Sequence, residues 1–211
     1  MRNKFFLSVV AFATFTTGAF ANQCPGDSDY RPFNGHRKNV QNVFPSNKAT
    51  DVKVCVENRK HFYDYVQMKK AVQYLNRDAN AASSYLRFSY SDFDKQSNCD
   101  VKIIRMKISD DVKVAASTTA SGVHPRIIKI NTKAIGTTLK NQYQMQHVIM
   151  HELLHSVGFK HTGINENDKI YGTVDNNNIG QRSMMCQYTD PSTYPIRQLN
   201  SLDKEALQIL Y

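Results

Sequence analysis

A chain of 211 residues with four cysteines is long enough to bury one hydrophobic core and too short for two ordinary domains. It carries 27 Lys and Arg against 18 Asp and Glu, and the basic residues are scattered without any aromatic-rich recognition motif. The charge therefore marks a basic surface that attracts acidic partners, and it excludes specific nucleic-acid binding as a first reading.

Arg2 and Lys4 give a positive start, residues 5–15 are largely apolar, and Ala19, Phe20 and Ala21 offer small residues where a signal peptidase cuts. Residues 1–21 are thus expected to be a signal peptide, cleaved after Ala21. Thr14, Thr16, Thr17 and Gly18 interrupt the apolar run, which is short for a spanning helix, so no stable membrane insertion is expected after cleavage. The remaining chain keeps 25 basic and 18 acidic residues. Export to an oxidising compartment lets Cys24, Cys55, Cys99 and Cys186 form up to two disulfides, with three connectivities open. A secreted or periplasmic monomer is expected.

Residues 22–50 are rich in Asn, Pro, Gly and charge, with turn signals at Pro25-Gly26 and Asn34-Gly35, and read as an irregular N-terminal arm pinned by a Cys24 disulfide. Residues 51–211 read as the folded domain. Residues 52–56 alternate apolar and polar side chains as a half-buried strand does. Residues 63–79 carry Tyr65, Met68, Val72 and Leu75 at helical spacing, a stripe that belongs to the core. Residues 86–90, 101–108 and 127–131 read as three further strands.

Residues 142–157 form the next helix, and its C-terminal half carries the chemistry. His151 and His155 are four apart, so both imidazoles lie on one helix face where they can bind one zinc ion, with Glu152 beside them as a base. Gly158 can take the left-handed conformation that ends the helix and lets His161 return as a third ligand. Three protein ligands leave the fourth position open, the mark of catalytic rather than structural zinc. Val148, Ile149, Met150, Leu153, Leu154 and Val157 supply the surface that packs beneath the sheet. The other histidines upstream, His36, His61, His124 and His147, read as ordinary surface or core residues.

Between His161 and Cys186 lies a loop bearing Asn165, Asn167, Asp168, Asp175, Asn176, Asn177 and Asn178. Its oxygens are of the kind that hold calcium, but the spacing fits no EF-hand, and a plain solvent loop is the preferred reading. Residues 202–211 form a closing helix, with Asp203 placed to cap its start and Leu202, Ala206, Ile209 and Leu210 on its buried face. The order strand, helix, strands, helix implies an α+β domain with one mixed sheet.

The string from His151 to His161 resembles the signature of the metzincin zinc peptidases, H-E-x-x-H-x-x-G-x-x-H followed by a Met-turn. The run Ile128-Lys129-Ile130-Asn131 before the zinc helix and the closing Leu210-Tyr211 pair are similar to secreted bacterial matrixin-like peptidases, with the astacin-like group as second choice. The resemblance implies a twisted metzincin-like catalytic domain with an active-site helix and a C-terminal helix. It implies one catalytic zinc on His151, His155 and His161, with Glu152 as general base. It also implies a Met-turn at Met185, with Met184 as the alternative, and a transition-state role for Tyr188, whose spacing departs from the pattern by one residue. A latency role for the arm through Cys24 or Asp27 is a further possibility that the resemblance raises. The expected activity is a secreted zinc endopeptidase acting on protein or peptide substrates laid as a strand between the zinc helix and a sheet edge. The rivals are a zinc hydrolase of cell-wall peptide amides and a non-catalytic binding or adhesin module on the same fold.

Overall fold

Val52, Val54 and Val56 are buried while Lys53 between them is half-exposed, which is the alternation of a strand covered on one face. The same rhythm recurs in Val101 and Ile103 against Lys102, and in Ile128 and Ile130 against Lys129. In this computed structural model the described residues are 43–56, 61–91, 98–111, 115–118, 125–159, 184–185 and 198–211. They form a short helix α1 (Ser46–Ala49), strand β1 (Val52–Val56), helix α2 (Phe62–Ala81), strands β2 (Phe88–Tyr90), β3 (Val101–Met106), β4 (Ala116–Thr118) and β5 (Arg126–Asn131), and helices α3 (Gln142–Ser156) and α4 (Ser201–Leu210).

The sheet is five-stranded and mixed, in the order β2-β1-β3-β5-β4. β1, β2, β3 and β5 run parallel, and β4 alone pairs antiparallel, with Ala116 opposite Ile130 and Thr118 opposite Ile128. Helix α2 lies against β1 and β2, α3 lies against β4 and β5, and the two helices touch each other, so together they cover one face of the sheet. The expected α+β domain with a mixed sheet is therefore present.

Several boundaries differ from the sequence reading. β4 is an additional strand, because Ala116-Ser117-Thr118 has no apolar alternation and is extended only by virtue of its pairing with β5. The strand expected over 86–90 pairs only from Phe88. Leu86 is instead fully buried ahead of it, and Arg87 bonds to the carbonyl of Ala49. Phe44 and Ala49 are core residues, so the end of the segment read as an irregular arm is packed into the domain. Asn200, not Asp203, is the N-cap of α4. Its Oδ1 accepts the Asp203 amide at 2.7 Å while Asp203 returns a bond to the Asn200 amide, which makes Asp203 the third helical residue of a capping box. The buried face of α4 is accordingly shifted to Asp203, Ala206 and Leu207, with Ile209 and Leu210 only partly covered.

Polar contacts fix the helices to this frame. Arg105 on β3 holds the buried Asp64 of α2 in a two-pronged ion pair of 2.6 and 2.7 Å. Gln146 of α3 donates to Gln67 of α2 at 2.7 Å, and Asp78 of α2 accepts the Leu199 amide at 2.7 Å just before α4. A disulfide joins Cys55 of β1 to Cys99 at the entry to β3, choosing among the open connectivities for that pair. Cys24 and Cys186 lie outside the described residues. No helix among the described residues is long and apolar enough to cross a membrane.

Candidate metal centre

Helix α3 is defined at both ends by its own sequence. Asn141 Oδ1 accepts the amides of Tyr143 (2.9 Å) and Gln144 (3.1 Å), and Gln144 Oε1 accepts the Asn141 amide in return at 3.1 Å. Met145, Ile149, Met150, Leu153 and Leu154 are fully buried along it, each worth roughly 1.5–3 kcal/mol of transfer free energy. At the far end Gly158 adopts a φ of 105°, and the amides of Gly158 and Phe159 return to the carbonyls of His155 and Leu154. This is the paired-bond termination that a left-handed glycine permits.

That turn also serves the histidines. The Phe159 carbonyl, carried back by the glycine, lies 2.8 Å from Nδ1 of His155. The Met184 carbonyl lies 2.7 Å from Nδ1 of His151. A carbonyl oxygen only accepts, so each Nδ1 carries the hydrogen and each Nε2 is left with its lone pair. The two Nε2 atoms are 3.0 Å apart, with the rings nearly perpendicular at 84°. Two lone pairs facing each other at that distance repel, and a cation between them turns the repulsion into attraction. Zinc–nitrogen bonds of about 2.0–2.1 Å suit two imidazoles placed this way, so the donor set fits a zinc ion.

Glu152 follows His151 in the helix and is only 6% exposed. Thr118, at the end of edge strand β4, donates its hydroxyl hydrogen to Glu152 Oε2 at 2.6 Å. Burial pushes the carboxyl up to about 7, with the Thr118 hydrogen bond pulling the other way. A buried carboxyl that takes and gives a proton near neutral pH is the type a general base requires.

The structure thus brings together His151 and His155, with Glu152 next to His151 in the same helix. Met184 and Met185 are both fully buried, and the contact to His151 is made by the Met184 backbone. His161, Tyr188 and the oxygen-rich loop considered for calcium lie outside the described residues. Among the described residues no three His, Cys, Asp or Glu side chains converge as a metal group. His147, one turn before His151, is buried with its ring 6.4 Å away, as a core histidine is. Sequence reasoning missed Thr118, the Met184 and Phe159 carbonyls, and the reach of Asp203. Only Phe159 left a signal, through Gly158 before it.

Residues 36–193 match the sequence profile of a family described as dual-action HEIGH metallo-peptidases. No curated protein matches the chain. Among solved structures the chain is similar to myroilysin, at 10% identity and a TM-score of 0.45, covering 81% of this chain and 95% of that one. A GM1-bound form of the ECX AB5 holotoxin matches at 10% identity and a TM-score of 0.49, covering 77% and 80%. The hatching enzyme zinc-protease high choriolytic enzyme 1 of the medaka fish Oryzias latipes matches at 17% identity and 0.43, covering 79% and 92%.

Proposed function

The chain belongs to the family of dual-action HEIGH metallo-peptidases and is a zinc metallopeptidase, and on that premise we propose a secreted endopeptidase of metzincin type, nearest the matrixin-like group, with Glu152 as its general base. The observation that carries this reading is the convergence of His151 Nε2 and His155 Nε2, with each Nδ1 tied to a carbonyl, on the helix that also holds the buried Glu152 carboxyl against Thr118.

His151, His155 and His161 are the residues that would hold the ion. Bound there, zinc supplies a positive charge that acidifies water and polarises a substrate carbonyl. Glu152 accepts the proton released as water attacks the peptide bond and passes it to the departing amine. Thr118 keeps the receiving oxygen aimed, since its hydroxyl fixes one carboxylate oxygen and leaves the other for the proton. β4 ends the described sheet and lies against α3, so an extended peptide has a strand edge to pair with beside the base. Export is supported by the apolar N-terminus and by the Cys55–Cys99 disulfide, which belongs to an oxidising compartment.

The test is cleavage of a peptide library by the chain beginning at Asn22, read by mass spectrometry beside Glu152→Ala, with zinc quantified in both. Cleavage by the parent, and a variant that keeps zinc while losing about 100-fold or more of the rate, is the expected outcome. Zinc bound by both with neither cleaving refutes the peptidase reading.

A further inference from the structure

We propose that Asp203 is a positioning residue of the metal site, acting on His151 through the backbone of Met184. Asp203 is completely buried on the first turn of α4. One of its oxygens, Oδ2, accepts the Met184 amide at 2.8 Å as well as the Asn200 amide at 3.3 Å. Met184 in turn places its carbonyl 2.7 Å from His151 Nδ1. A single carboxylate oxygen therefore joins the start of the C-terminal helix to the turn that selects the tautomer of the first zinc histidine.

A helix cap at this position has no need of the Met184 amide. The reciprocal bonds between Asn200 and Asp203 already satisfy the helix start. The additional bond fixes the Met184 backbone, and a carbonyl must be fixed in place to orient an imidazole. Partners of this kind, one step removed from the ion, typically change metal affinity by about 10- to 100-fold when removed. A bond to a carboxylate is stronger than one to a neutral amide, so the effect is expected to be graded with the acceptor at position 203.

This inference rests on the reading of His151 as a zinc ligand, and the experiment separates the two. The zinc-loaded full chain and its Asp203→Asn, Asp203→Ala, Asn200→Ala and His151→Ala variants are titrated with a competing chelator. The exchange of the His151 Nδ1 proton is followed by NMR in the same samples. Asp203→Ala is expected to lose about 10-fold or more in zinc affinity, with a smaller loss in Asp203→Asn, and both are expected to exchange that proton faster. Asn200→Ala removes the cap side chain but leaves the Met184 bond, and is expected to hold zinc as the parent does.

Should Asp203→Ala fail to fold, Asp203→Asn decides by the same two readouts. Parent-like affinity and proton exchange in a folded Asp203 variant overturn the proposal, as does an equal zinc loss in Asn200→Ala. If His151→Ala itself leaves zinc binding intact, the reading of the site fails and takes this inference with it.

Discussion

Thr118 and Glu152 meet across 2.6 Å, the hydroxyl of an edge-strand residue donating to the carboxylate of the residue that follows His151. The two are 34 residues apart in the chain, so the contact exists only because β4 folds back along β5 to lie against α3. It orients the carboxylate and, by favouring its charged form, opposes the effect of burial on its pKa.

Thr118→Val keeps the shape and removes the hydroxyl. A hydrogen bond to a charged group contributes about 1.5–3 kcal/mol, so kcat is expected to fall roughly 10- to 100-fold with KM little changed. Steady-state kinetics on one peptide substrate check this. An unchanged kcat would remove Thr118 from any role in holding Glu152.

Gly158→Ala forces a side chain into a left-handed conformation at φ 105°, at a cost of about 1–2 kcal/mol. The same turn supplies the Phe159 carbonyl to His155, so a lower melting temperature is expected together with weaker zinc binding. If thermal unfolding shifts while zinc affinity stays at the parent value, the turn is structural only.

Chelation is expected to lower the melting temperature reversibly, because it removes the cation that offsets the repulsion between two Nε2 lone pairs 3.0 Å apart. Zinc at about 100 times its dissociation constant adds roughly 2.7 kcal/mol to stability. Calorimetry with and without chelator measures the difference. A zinc-dependent shift that survives His151→Ala would place the ion elsewhere.

Tyr211 is buried, and its hydroxyl donates to the Val157 carbonyl at 2.5 Å and accepts the Phe44 amide at 3.2 Å. Burial raises its pKa well above the ordinary value near 10. In the unfolded chain the phenol ionises near pH 10 while the folded form stays neutral. Its contribution to stability is therefore complete below pH 10 and is lost as pH rises from there towards the folded value. Tyr211→Phe is expected to cost about 1–3 kcal/mol at neutral pH and to flatten the alkaline part of the stability curve. Denaturant titrations at pH 8 and above pH 10 test both parts. Equal slopes in parent and variant would show that this phenol does not govern alkaline unfolding.

The sequence by itself determined what lies within a turn or two of helix or a single strand. The spacing of His151 and His155 put both on one face of α3, Gly158 marked the end of that helix, and the alternation around Val54, Ile103 and Ile128 marked strands covered on one side. These follow from backbone periodicity, which depends only on near neighbours. Asp203 was read as belonging to a helix start, and it does, but its second partner lies 19 residues away at Met184.

Only the tertiary structure decided which strand forms the sheet edge, that Thr118 faces Glu152, and that the Met184 carbonyl, 33 residues from His151, holds the Nδ1 side of the His151 ring. No local pattern encodes these contacts. Ala116-Ser117-Thr118 has the composition of a loop and becomes a strand through the hydrogen bonds of β5, and a backbone carbonyl orients a histidine whatever its side chain is. Residue type records the chemistry each position can perform, whereas the partner that aims it is set by how distant segments pack against a common core.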